Sequence, residues 1–223
     1  MTNSVAGLIL MVVTSHSQLA TNQHTGVWLE EFAVPYQMFR RAGYEVVVAN
    51  PAGAPTPIDP RSVTQSPETG VLMALRNARA LATINPADYQ AVFFPGGHGT
   101  MFDFPDQPPV QKVVSAFLNS KRPIALVCHG PAALVGATAA DGKPAVRGRK
   151  LTAFTNDEEK AVELEDKVPF LLQTRLTKLG AQFSSTTNFA EHVVVDGNLI
   201  TGQNPASSAL AARKLLDHLT AAR

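Results

Sequence analysis

The chain has 223 residues, 45% hydrophobic and 17% charged, enough to bury one full core as a single domain over 1–223 but too short for a second catalytic domain. Nineteen Lys and Arg against eighteen Asp and Glu leave a formal charge of +1, with no basic run and no aromatic-basic interleaving. Nucleic acid and anionic membranes are therefore excluded as evident partners, and a small substrate is expected. The single cysteine excludes an internal disulfide, Met1-Thr2-Asn3-Ser4 lacks the charges of a signal peptide, and the apolar run at 6–13 is too short to span a bilayer. A cytoplasmic protein is expected.

In chain order, 6–13 is uniformly apolar, as in a parallel strand covered on both faces. A polar stretch at 15–25 leads to a helix over 32–42. Gly43 stops it at a left-handed position, and 44–49 resumes as strand, closing a βαβ unit. Residues 50–60 form a Pro-rich surface loop, and Ser66-Pro67 is expected to cap a helix reaching Ala80. A strand at 89–94 ends abruptly at Pro95-Gly96-Gly97-His98-Gly99, a helix covers 110–118, and a strand at 124–127 carries Cys128. Beyond it, 150–154 is strand-like and 157–179 helical, with an interruption at Pro169 and a stop at Gly180. Residues 193–200 form a hairpin in which Asp196-Gly197 supplies the positive φ angles of a tight turn, and a helix over 205–219 closes the chain. The fold class is α/β: a three-layer sandwich with a mostly parallel sheet and an added antiparallel hairpin.

Ligands of such sheets bind at the carboxyl ends of the strands, where three clusters fall. Cys128-His129-Gly130-Pro131 has the layout of a nucleophile elbow, a strand-to-helix turn that lifts one side chain out of the sheet. A helix dipole there is expected to favour the thiolate. In the second cluster, the N–H of Gly97, paired with that of His129, is placed to form an oxyanion hole for a carbonyl attacked by Cys128. The third is Trp28-Leu29-Glu30-Glu31 at a helix start. Spacing does not choose between Glu30 and Glu31. A protonated carboxyl there could donate to the sulfur, so that Gln in its place would raise the thiol pKa, and could shuttle protons between adjacent substrate carbons. After the elbow, Asp157-Glu158-Glu159 offers an acid to orient His129, although a solvated helix N-terminus is the plainer reading of that run.

Together Thr25-Gly26-Val27-Trp28-Leu29-Glu30-Glu31, Phe94-Pro95-Gly96-Gly97-His98-Gly99-Thr100-Met101-Phe102-Asp103, Val127-Cys128-His129-Gly130-Pro131 and Thr201-Gly202-Gln203-Asn204-Pro205-Ala206-Ser207 resemble the ThiJ/PfpI superfamily over nearly the whole chain. More narrowly, they resemble its small stress-inducible branch of glutathione-independent glyoxalases (glyoxalase III, D-lactate dehydratase) and holding chaperones. The resemblance implies a flavodoxin-like, class I amidotransferase-like sandwich. It implies Cys128 as nucleophile, His129 beside it, Glu31 as the buried glutamate at the sulfur and Glu159 as third member of the triad. His98 and Asp103 lie in the motif without a derived role. Methylglyoxal or a similar α-oxoaldehyde is the implied substrate, with no metal, glutathione or nucleotide, and a homodimer is the implied assembly. A glutaminase is discounted because Glu191-His192 replaces a His-x-Glu pair and Leu126 a glycine. A cysteine peptidase, a protein deglycase, a holding chaperone and a cysteine-oxidation sensor remain as alternatives.

Overall fold

The apolar run near the start of the chain becomes strand β1 (Leu8–Val12), four of whose five residues are buried. The computed structural model describes residues 6–20 and 22–221; the reading of Met1–Ser4 lies outside the described residues. After β1 come a small hairpin, β2 (Gln18–Ala20) and β3 (Gln23–His24), then α1 (Leu29–Arg41), β4 (Glu45–Asn50), α2 (Thr69–Arg76) and β5 (Arg79–Ala80). There follow β6 (Ala91–Phe94), α3 (Thr100–Asp103), α4 (Pro108–Ser120) and β7 (Ile124–Val127). The chain continues through β8 (Lys150–Leu151), α5 (Asn156–Ala161), α6 (Leu172–Lys178), β9 (Gln182–Phe183), β10 (Val193–Asp196), β11 (Leu199–Gly202) and α7 (Ser208–Ala221).

Seven strands form one sheet in the order β10, β11, β7, β6, β1, β4, β5. Every pair in it is parallel except β10 with β11. Because strand side chains alternate between faces, β1 feeds two cores. Leu10 and Val12 pack with Phe94, Leu126 and, from α4, Val113 and Phe117. Ile9 and Met11 pack on the other side with Phe93 and, from α1 and α7, Phe32, Phe39 and Leu215. Helices thus cover both faces, and the expected three-layer sandwich with an antiparallel hairpin is the observed fold. No helix among the described residues is long and apolar enough to cross a membrane.

Several elements differ from expectation for local reasons. Helix α2 begins at Thr69 rather than Ser66-Pro67 and ends at Arg76, because Arg79 and Ala80 pair with Ala49 and Asn50 as an edge strand. The strand expected over 150–154 is only two residues long. Beyond it the Thr152 N–H donates to Thr201 Oγ1 and the Phe154 N–H to the Cys128 carbonyl, so that segment serves the site instead of a ladder. The helical stretch 157–179 divides well before Pro169, since Glu163 takes a left-handed φ of 59° just past α5. In the hairpin the positive φ falls on Gly197 alone (58°), with Asp196 paired to Leu199 across the turn.

The strand order reverses beside β1: β4 follows on one flank and β6 on the other. Loops leaving β1 and β6 therefore diverge and open a crevice at the carboxyl edge of the sheet, into which β7 also delivers its terminal residue.

Candidate active site

Cys128 leaves β7 with φ of 58°, a left-handed backbone rarely adopted by residues with a Cβ. The flanks impose it: its N–H donates to the Gly202 carbonyl at 2.9 Å, and its carbonyl accepts from the Phe154 N–H at 2.9 Å. Strain of this kind, on the order of 1–3 kcal/mol, persists where surrounding structure over-determines the residue. The elbow is thus present, but the electrostatic expectation attached to it is overturned. A single 3₁₀ segment, Gly130–Leu134, follows the cysteine in place of an α-helix, and it carries little dipole. The sulfur is buried, and burial, then the charge of Glu31, push the Cys128 thiol well above its ordinary value.

Helix α1 resolves the choice between its two glutamates: Glu30 faces solvent and Glu31 is fully buried. Glu31 Oε2 accepts the Gly96 N–H at 2.6 Å. Oε1 has no hydrogen-bond partner of regular geometry, and Cys128 is the side chain that interacts with this carboxyl. Burial raises the Glu31 pKa to about 8, against the opposing pull of the Cys128 and Gly96 hydrogen bonds. Glycine is required at 96, because a Cβ there would lie 2.6 Å from the His129 nitrogen and 2.8 Å from Glu31 Oε2.

His129 Nδ1 lies 3.3 Å from Cys128 Sγ, and its Nε2 lies 2.8 Å from Glu159 Oε2. Glu159, second of a buried pair with Glu158, projects from α5 into the site, whereas Asp157 is exposed. Its other oxygen meets His98 Nε2 at 2.7 Å. Burial opposes ionisation of Glu159, but the charge and hydrogen bond of His129, with the hydrogen bond of His98, outweigh it and hold the carboxyl well below its ordinary range. Burial, with repulsion from His129 whenever that ring is protonated, lowers the His98 pKa to about 4, so His98 is neutral and donates from Nε2. An ionised Glu159 accepting from both rings fixes His129 as the tautomer with a free Nδ1 lone pair toward the sulfur. His98 turns its own Nδ1 toward Arg61 Nη2 at 3.4 Å, and Arg61 is clamped by the buried Asp59, with Nη2 to Oδ2 at 2.6 Å.

The amides of Gly97 and His129 donate to no group among the described residues. Both residues border, with Cys128, His98, Arg61 and Trp28, a cavity of about 220 Å³. Asp103 accepts from Thr14 Oγ1 and from the Ser15 N–H and Oγ, fastening the loop after β1 to α3. His98, His129 and Glu159 also bring potential ligand atoms within 4.8 Å of one another. Those atoms already saturate each other through the two histidine–carboxylate hydrogen bonds. Linear reasoning also missed Arg61, Phe154, Val162, Phe189 and Pro205 in the cavity wall. They come from four separate segments and have no short-range signal.

Residues 23–218 match the model of the DJ-1/PfpI family. Glyoxalase 3 of Candida albicans is 27% identical over 227 residues, covering 93% of this chain and 96% of the relative. Glutathione-independent glyoxalase HSP31 of Saccharomyces cerevisiae is 27% identical over 230 residues, covering 95% and 97%. The X-ray structure of the Rapid Encystment Protein 24 kDa of Francisella tularensis superposes with a TM-score of 0.91 at 34% identity, covering 96% of this chain and 99% of that one. With its elbow, its glycine loop and nearly its full length accounted for, the chain belongs to the DJ-1/PfpI family.

Proposed function

We propose that this protein is a glutathione-independent glyoxalase that converts methylglyoxal to D-lactate, in the manner of a D-lactate dehydratase. The observation that carries the reading is Glu31: a buried carboxyl with a pKa of about 8 set against the thiol of Cys128. Hydrolysis alone has no use for a second acid at the sulfur; moving hydrogen between adjacent carbons does. Relatives bearing the glyoxalase name support the reading. The resemblance adds a homodimer as the working form, and the single cysteine supports a cytoplasmic setting.

In this scheme His129 Nδ1 takes the Cys128 proton as the sulfur bonds to the aldehyde carbon, and Glu159 stabilises the resulting imidazolium. The new oxyanion is met by the Gly97 and His129 amides and then receives the proton from His129, giving a hemithioacetal. Glu31 protonates the neighbouring ketone oxygen and, as carboxylate, removes the hydrogen from the former aldehyde carbon. It then delivers a proton to the second carbon of the enediol as the hydroxyl proton on the first carbon passes to the carboxylate, which restores the acid. The product is the lactoyl thioester of Cys128, which one water hydrolyses, releasing lactate and restoring the thiol. A carboxyl whose pKa lies near the working pH suits both giving and taking a proton.

The test is glutathione-free conversion of methylglyoxal by purified protein, with lactate resolved by chirality. D-lactate is expected, and methylglyoxal left unconverted would overturn the proposal. Glu159→Gln is expected to lower kcat by on the order of 10²–10⁴-fold. A single amide oxygen cannot accept from both histidines, and the amide NH₂ would force one ring into the wrong tautomer. Steady-state kinetics on the folded variant check this.

A further inference from the structure

Much of the cavity wall is aromatic and apolar, built from Trp28, Phe154, Val162, Phe189 and Pro205. At about 220 Å³ the cavity holds roughly seven waters' worth of liquid volume, more than methylglyoxal fills. Phe189 is the unusual member. It is 47% exposed, yet it sits in a left-handed backbone with φ of 61°, where a bulky residue is a true outlier. Its conformation is imposed from below. The Phe189 N–H donates to Glu158 Oε1 at 2.8 Å, and the same oxygen receives Gln203 Nε2 and Asn204 Nδ2 at 3.0 and 2.9 Å. The two amides then clip the chain on either side, Gln203 Oε1 accepting from the Thr186 N–H and Asn204 Nδ2 donating to the Ala190 carbonyl. A buried glutamate and two buried amides thereby fix the backbone that carries one exposed ring at the cavity wall. Neighbouring rings continue inward from Phe189 to Phe154 (centroids 6.3 Å apart) and on to His129 (4.5 Å).

Strain maintained at a ligand-facing position calls for a task. We propose that Phe189 is a substrate-recognition residue, a fixed aromatic platform that favours 2-oxoaldehydes carrying an aryl or extended alkyl group over methylglyoxal. This deepens the glyoxalase reading and rests on it for the word substrate. Because the backbone that carries the ring is fixed before binding, less conformational freedom is lost when a ligand stacks on it.

Alkylation of Cys128 tests the platform without turnover. Rates with N-benzyl-iodoacetamide and with iodoacetamide are measured for wild type, Phe189→Ala, Phe189→Gly and Phe189→Tyr. The benzyl-to-small rate ratio is expected to fall about three- to tenfold in the Ala and Gly variants and to be kept in Tyr. Glycine accepts the left-handed backbone, so Phe189→Gly separates loss of the ring from loss of the fold. The same variants are then compared by kcat/KM for phenylglyoxal against methylglyoxal, where the same fall is expected. A ratio that rises on truncation would show a steric barrier and overturn the proposal, as would an unchanged ratio. If neither aldehyde is turned over while the alkylation ratio falls, the platform stands and the glyoxalase reading fails.

Discussion

Replacing Cys128 with Ala abolishes glutathione-free formation of lactate, by on the order of 10⁴-fold or more, while leaving the fold intact. No other cysteine exists in the chain to substitute for it. The loss is steep because Gly97, His129 and Glu159 serve a covalent intermediate that then never forms. The fold survives because the left-handed backbone at 128 is held by its own N–H and carbonyl, through Gly202 and Phe154, which Ala retains. Circular dichroism should therefore superpose on wild type, and D-lactate should stay at the background rate.

Glu31→Gln carries the second large effect, in two measurements. Turnover should fall by about 10²–10⁴-fold, the usual contribution of a positioned acid-base group, since an amide neither gives up nor accepts the proton in transit. Stability should change its dependence on pH. Below the ordinary carboxyl pKa of 4.5 both folded and unfolded wild type hold the Glu31 proton, and the group contributes nothing to the pH slope. Between 4.5 and about 8 the unfolded chain releases it and the folded chain keeps it, so wild type loses stability relative to Gln as pH rises. The accumulated loss is on the order of 5 kcal/mol once pH passes the folded value. Urea titrations at pH 5 and pH 8.5 read this directly, as a wild-type midpoint that falls against the variant. Thiol reactivity supplies a sign. An ionised Glu31 pushes the Cys128 thiol up, so Gln should lower the thiol pKa, the reverse of what a carboxyl donating to a thiolate would give.

Much of this architecture is written locally. Buried parallel strands need apolar side chains on both faces, so 6–13, 89–94 and 124–127 stand out, and the elbow is visible because a strand, a cysteine and a His-Gly-Pro turn are adjacent in sequence. Gly43 was legible as a helix stop for the same reason: its φ of 85° is a backbone requirement imposed within one turn. What escaped depends on distance along the chain. Glu31 and Glu30 have the same local context, and only the packing of α1 against the glycine loop buries one of them. His98 gains a partner only when α5 brings Glu159 beside it, across 61 positions of sequence. The direction in which the thiol pKa is pushed runs opposite to the local expectation because helix type and burial depth at the elbow are tertiary properties. Arg61 and Phe189 reach the cavity from irregular segments whose hydrogen-bond anchors, Asp59 and Glu158, carry no periodic signal.

The claim at the centre of the account is that Glu31 moves a proton, not a hydride, between the two carbons of a Cys128-bound dicarbonyl. Conversion of unlabelled methylglyoxal in D₂O, with the lactate read by proton NMR, tests it most directly. The account predicts D-lactate carrying deuterium at C2, because the proton that Glu31 takes from the first carbon exchanges with D₂O while the enediol persists, before the carboxyl delivers it to the second. Lactate formed with only protium at C2 would mean that the hydrogen reached the second carbon without passing through an exchanging Glu31 carboxyl, and it would contradict the role assigned to Glu31.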